Sequence, residues 1–484
     1  MKNKKLIQLL IAIFIFMFFL IFPIFPSNVV ASHMFAIVVL MAFFWITEAI
    51  PLGITSLLPI FMFPVFGIDS TAKVSTNYMN STILLFLGGF FLSIAMEKWN
   101  LHRRIALSIL NMMGISKYSI VFGFAITTYF MSMFVSNTAA AMIMLPIALA
   151  IIGKVESSYN NFSGNKFAIA LMLVIAYSAS IGGIATLIGT PPNLVLMRVY
   201  ETSFPDMPKI TFANWLYYGI PLSSGMLVLM LLMIYFVFLR QLPKNLLSKT
   251  EIKNQLIGLG KMSKAEFKIL WIFLLVVFLW MFREPIKLEW FTIPGWGDSL
   301  GLSKLIDDGT VGIFGAVILF LMPVSFNDLS TKLLDKESIK AVPWEIILLF
   351  GGGFALASGF ESSGLSKQIA LQLEYMHNLP ISIIILVIGA LVTTLTEFSS
   401  NTATAATMLP VIAAMAKVME IDPLILMVPA AISASFAFTM PISTPPNAIV
   451  FSSGRLKIKD MLFSGILMNI LGLIYIVLFF SIAM

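Results

Sequence analysis

Two Ser-Asn-Thr triplets, Ser136-Asn137-Thr138 and Ser400-Asn401-Thr402, stand 264 residues apart, each inside an apolar run. In hydrocarbon such a triplet is expensive unless its polar atoms find partners. Each is followed by good helix formers, residues 139–151 and 403–418, so serine and asparagine fall where N-caps belong. The free N–H groups and positive end of the helix behind them offer a seat for a carboxylate or other small oxyanion. Amide and hydroxyl oxygens of the same triplets can face the other way, toward a hard cation that prefers oxygen.

A second pair of motifs, Thr190-Pro191-Pro192-Asn193 and Thr444-Pro445-Pro446-Asn447, follows at an offset of 254. Two prolines remove donors and push the preceding threonine out of the helical region, so each span is predicted to break near its middle. Gly189-Thr190 and Ser443-Thr444 would then present bare carbonyls, tolerated at membrane depth only where they line a cavity or bind an ion. One triplet plus one break makes half a site. Two such halves suit a substrate with two anionic ends, its charge offset by cations.

The positioning elements must be membrane helices. Of 484 residues 59% are hydrophobic and 11% charged, far below the quarter typical of soluble domains. No cysteine is present, which excludes disulfides, thiolate metal sites and cysteine nucleophiles. Spans long enough for roughly 30 Å of hydrocarbon are predicted at 6–26, 33–50, 52–68, 81–97, 167–200, 216–239, 266–283, 309–325, 343–360, 424–453 and 461–484. The first is read as a retained span and not a cleaved signal. Residues 118–153 and 379–419 are predicted as re-entrant hairpins, since the apolar arms flanking each triplet are too short for two full crossings. The fold class is therefore all-α and polytopic, with about 11 transmembrane helices and two hairpins.

Matching residues at the 264 offset extend well beyond the triplets. Phe86-Leu87-Gly88-Gly89-Phe90 corresponds to Phe350-Gly351-Gly352-Gly353-Phe354, Glu97 to Glu361, Ser132 to Thr396 and Leu145-Pro146 to Leu409-Pro410. The organisation expected is an N-terminal helix (1–30), a first repeat (31–240), a cytoplasmic linker (241–265) read as a solvated basic loop, and a second repeat (266–484). With the N-terminus in the cytoplasm, 22 of the 30 lysines and arginines fall on inner loops. The +7 balance thus reports topology in the plasma membrane and not nucleic-acid binding. Five crossings separate the hairpins, so they open on opposite faces. The repeats are then inverted, a construction that places transporter sites at the midplane.

Intramembrane ionisable groups default to functional candidates. Glu48 is placed at the interface, and Glu97 and Glu361 are expected to pair with Lys98 and Lys367. Glu397, three residues before Ser400, either tunes the second site or carries a proton. His33, His102 and His377 fall in loops or at interfaces, and none pairs with an acid and a serine as hydrolysis requires. The glycine runs fit close helix packing.

These paired motifs, with Glu97-Lys98-Trp99-Asn100-Leu101-His102 and Phe350-Gly351-Gly352-Gly353, resemble the divalent anion:sodium symporter family, its bacterial sodium-dependent dicarboxylate members most of all. The resemblance implies a homodimer, scaffold and transport domains working as an elevator, and sodium-driven import of succinate, malate or fumarate. It implies a first sodium site from Ser132, Ser136, Asn137 and Gly189 and a second from Thr396, Ser399, Asn401 and Ser443. Substrate carboxylates would meet Ser136, Asn137, Thr138, Thr190 and Pro191 in one half and Ser400, Asn401, Thr402, Thr444 and Pro445 in the other. Ser399 and Ser443 depart from the smaller residues expected there. Family exchangers place a basic side chain near the sites, and no lysine or arginine lies within a dozen residues of either triplet. Symport is thereby favoured over the alternative, proton-coupled or exchange carriage of a dicarboxylate, citrate or another divalent anion. A channel and an intramembrane hydrolase are disfavoured.

Overall fold

A computed structural model describes residues 2–113, 116–158, 164–240, 250–287, 291–372 and 379–483. Helices dominate, because most segments are apolar on every face and must satisfy their backbone internally wherever they meet lipid or one another. Among the described residues eight helices are long and apolar enough to cross a membrane, from Val29–Thr47 to Ile458–Ile482, and they include Asn137–Glu156 and Ile381–Phe398, so an arm of each predicted hairpin is longer than the apolar runs suggested. Of the other expected crossings, 266–283 is the unbroken helix Lys264–Met281, and the rest are shorter or interrupted. The predicted span 52–68 is two pieces, Leu52–Thr55 and Leu58–Val65, and the span at 309–325 is the 14-residue helix Asp308–Leu321. Two small antiparallel ribbons, Ile286–Lys287 with Thr292–Ile293 and Pro323–Ser325 with Asp328–Lys332, join helices.

At the centre lies helix Gly164–Ile184, in which every residue from 167 to 184 is buried. Around it pack the two arms of the first hairpin, Lys117–Ser132 and Asn137–Ser158, and helix Phe212–Ile234. The second hairpin, Ile381–Phe398 and Asn401–Val418, packs in the same way on Leu424–Ser433. The halves then interlock. Asn137–Ser158 packs on Pro445–Ser452 of the second break, and Asn401–Val418 packs on Pro191–Ser203 of the first.

The glycine runs do what close packing needs. A Cβ on Gly88 would stand 2.4 Å from the carbonyl carbon of Gly312, so helices Ser81–Lys98 and Asp308–Leu321 touch backbone to backbone. A Cβ on Gly353 would stand 2.7 Å from that of Ala406 on the second hairpin.

Charged residues pair differently from expectation. Lys98 bonds Asp335 at 2.7 Å and not Glu97, whose carboxylate meets Ser93. Glu361 takes Lys417 of the second hairpin at 2.7 Å and not Lys367. Glu97 and Lys98 are adjacent on one helix and do not face each other, whereas side chains from separate elements can. His102 is buried at the start of helix Leu101–Met112 with Nδ1 2.7 Å from the Met96 carbonyl, and burial lowers its pKa. His33 lies on helix Val29–Thr47, and His377 lies outside the described residues. Part of the supposed linker loop is also ordered. Thr250–Gly258 is a helix, and Arg104 donates to the carbonyls of Leu259, Gly260 and Lys261 beyond its end while pairing with Glu266.

Candidate functional site

Each break follows from its proline pair and is closed by the asparagine behind it. Helix Gly164–Ile184 ends, the chain turns, and Pro191–Ser203 restarts with prolines at its first positions. Asn193 Nδ2, fully buried, reaches back to the carbonyls of Gly183, Ile184 and Thr186 at 3.2, 3.3 and 2.8 Å. Asn447 Nδ2 does the same for Ala437 and Met440, both at 2.9 Å. These asparagines satisfy carbonyls that the broken helix leaves bare and so hold each loop in shape. No sequence argument had given them a role, although both stand in the repeated motif.

The hairpin tips carry the first element of chemistry. Ser132 Oγ lies 2.6 Å from Asn137 Oδ1 and 2.7 Å from the Ala179 carbonyl. Thr396 Oγ1 lies 2.8 Å from Asn401 Oδ1 and 2.7 Å from the Ala434 carbonyl. Each cluster gathers three oxygens around a single hydroxyl proton, and that surplus of lone pairs is what a small hard cation fills. An amide turned over would donate to the hydroxyl and satisfy the cluster with no ion, so Oδ1 inward is the orientation a cation requires.

Gly183 supplies the room. A Cβ there would stand 2.7 Å from Asn137 Oδ1 and 3.1 Å from the Gly189 carbonyl, so both oxygens converge on the space that the missing side chain leaves. Sequence comparison of the repeats hides this residue, because its equivalent is Ala437. Among the described residues no group of three His, Asp or Glu could hold a metal.

The triplets cap their helices unequally. Ser136 Oγ accepts from the N–H of Ala139 at 3.2 Å, as an N-cap should. Ser400 makes no such bond, contrary to expectation. Beside it Ser399 Oγ meets Thr404 Oγ1 at 2.6 Å, tying the tip to the first turn of the helix.

Both halves open into one cavity of about 760 Å³. Its walls include Ser136, Asn137, Thr138, Gly189, Thr190 and Pro191 from the first half. Ser399, Ser400, Asn401, Thr402, Ser443, Thr444 and Pro445 come from the second. Ser132 and Thr396 stand behind this surface, fully buried. Four helices, starting at Asn137, Pro191, Asn401 and Pro445, begin on the cavity wall. Each points the positive end of its dipole inward, worth about half a charge per helix. Phe86, Phe90, Phe134, Phe398, Ile188 and Ile442 form its apolar parts. Glu48 and Glu345, both exposed, also line it, so Glu48 belongs to the cavity and not merely to the interface. Its left-handed backbone after helix Val29–Thr47 turns the chain there.

Glu397 also lines the cavity, although little of it is exposed there. Its carboxylate accepts the N–H groups of Phe438 and Thr439 at 3.0 Å, Asn469 Nδ2 at 2.9 Å and Ser443 Oγ at 2.7 Å. Two of these four groups, the backbone N–H groups, can only donate, whereas the amide and the hydroxyl can each donate or accept.

Oxygen clusters at two hairpin tips, four helix ends and a shared polar cavity in a bundle of apolar helices define a membrane transporter. The chain belongs to the family described as Sodium:sulfate symporter transmembrane region, which it matches over residues 3–483. It is therefore a transporter and not an enzyme. It is 42% identical over 460 residues to the "Sodium-dependent dicarboxylate transporter SdcS" of Staphylococcus saprophyticus, covering 94% of this chain and 86% of that one. The protein of the same name from Staphylococcus aureus strain NCTC 8325 is 42% identical over 451 residues, covering 92% and 84%. Among solved structures, the Alcanivorax borkumensis YdaH transporter aligns with a TM-score of 0.57 at 13% identity, covering 85% of this chain and 87% of that one. MtrF of Neisseria gonorrhoeae gives 0.56 at 13%, covering 85% and 83%. At that identity the likeness concerns the fold alone.

Proposed function

We propose that the chain imports C4 dicarboxylates such as succinate, malate and fumarate, coupled to sodium entry across the plasma membrane. The observation that carries this reading is the single cavity into which both triplets and both proline breaks open. Asn137, Thr138, Asn401 and Thr402 hold the two carboxylates at the helix N-termini, with Thr190, Thr444 and the prolines beside them. Sodium sits in the oxygen clusters: Ser132, Ser136, Asn137 and Gly189 in the first, and Thr396, Ser399, Asn401 and Ser443 in the second. The names of the staphylococcal relatives support both sodium and dicarboxylate.

The carrier spans the membrane eleven times as a homodimer, with the N-terminus in the cytoplasm and inverted repeats around the midplane. In that topology Glu48 and Glu345 mark the cytoplasmic mouth, so this conformation opens inward. Hairpins and broken helices move together against the remaining helices, as an elevator, to expose the site outside.

Uptake of labelled succinate into proteoliposomes tests the reading. It should require an inward sodium gradient, be lost in Asn137→Ala and Asn401→Ala, and be competed by fumarate more strongly than by citrate or sulfate. Equal uptake with choline replacing sodium would refute the coupling.

A further inference from the structure

The two oxygen clusters match in their oxygens and differ in their charge. The residue after Thr396 is Glu397, whereas the residue after Ser132, at the equivalent position, is Met133. Glu397 is 6% exposed as a residue and has no ion pair among the described residues, although its carboxylate receives four donor groups. A buried charge without an opposite charge is strongly unfavourable. One of its donors, Ser443, belongs to the loop that walls the second cluster, and the hydroxyl also reaches the Glu397 carbonyl at 2.9 Å. In the first half the matching carbonyl, that of Met133, takes the hydroxyl of Thr186, so the loop is held there with no acid involved. Holding the loop thus does not require a carboxylate, and its charge calls for a separate reason.

We infer that Glu397 is the fixed counter-charge of the second cation seat, so that this seat binds sodium more tightly than the first and fills before it. The inference rests on the sodium-symport reading above. A nearby opposite charge in a low-dielectric site strengthens cation binding by on the order of tenfold or more. Glu397→Gln removes that charge with little else. Its oxygen can keep the bonds from Phe438, Thr439 and Asn469, and its new N–H₂ can donate to Ser443.

Sodium titration of the purified protein, followed by tryptophan fluorescence, provides the test. The wild type should show two binding classes separated by on the order of tenfold or more. Asn401→Ala should lose the tighter class and Asn137→Ala the weaker, and these three titrations decide the matter even where Glu397→Gln fails to fold. If it folds, Glu397→Gln should weaken the tighter class by a similar factor. Ser443→Ala, which removes a bond but keeps the charge, should not reproduce that shift. A single class in a wild type whose uptake still needs sodium overturns the inference alone. Loss of the weaker class in Asn401→Ala, or a Ser443→Ala shift equal to that of Glu397→Gln, also overturns it. Sodium-independent uptake by the wild type defeats the symport reading itself.

Discussion

Lys417 Nζ lies 2.7 Å from Glu361 Oε2, joining the second hairpin to helix Trp344–Ser362. Each side chain is about one third exposed, 34% and 33%, so solvent screens the pair. Such a pair contributes about 0–1 kcal/mol. If the hairpin slides past that helix during transport, the pair breaks in every cycle. Glu361→Gln should then change the initial rate of succinate uptake by no more than about fivefold, in whichever direction the stepping equilibrium moves. A loss of activity beyond that, with normal folding, would mean that the pair does more than bias two positions.

Removing the hydroxyl of either cation cluster should weaken sodium and spare the fold. Ser132→Ala and Thr396→Val each delete one of three converging oxygens. Half-saturating sodium for uptake should rise on the order of 10-fold to 100-fold, with Thr396→Ser close to wild type. An unchanged sodium dependence in both variants would take these hydroxyls out of the coordination.

Gly183→Ala should act as strongly as the loss of a ligand without removing any oxygen. The added methyl would stand 2.7 Å from Asn137 Oδ1, within contact distance, and must displace the amide or the loop. Sodium-driven uptake should fall by at least about tenfold. Ala437→Gly, at the equivalent position, should be tolerated, and measuring the two variants side by side separates a steric effect in the first seat from general destabilisation.

The asparagines behind the prolines should prove structural. Asn193→Ala or Asn447→Ala uncovers buried carbonyls, each at about 1–3 kcal/mol. Thermal melts in detergent should drop by several degrees, and sodium should stabilise these variants less than the wild type. A melting point equal to wild type would show that water replaces the amide.

Much of this site can be read in the sequence because it is written twice. A lone Ser-Asn-Thr carries little weight, but the second copy and its proline-broken companion mark the same four segments that the fold brings into one cavity. Side-chain partners are less legible. Lys98 stands next to Glu97 in the chain and bonds Asp335, because a helix turns consecutive residues about 100° apart while a distant loop can lie alongside. Gly183 escapes notice for the opposite reason. Its part is to be absent from a space, and the repeat offers Ala437 for comparison, so nothing in the pattern marks it. Glu48 enters the cavity because its backbone turns left-handed at a helix end, which a hydropathy profile does not register.

The correspondence of Met133 with Glu397 makes the two halves unequal. Two copies of the first half would carry methionine at both positions, and two copies of the second a carboxylate at both. The chain as it stands carries a single acid at this pair of positions, so its two halves are alike in their oxygens and unlike in their electrical sign.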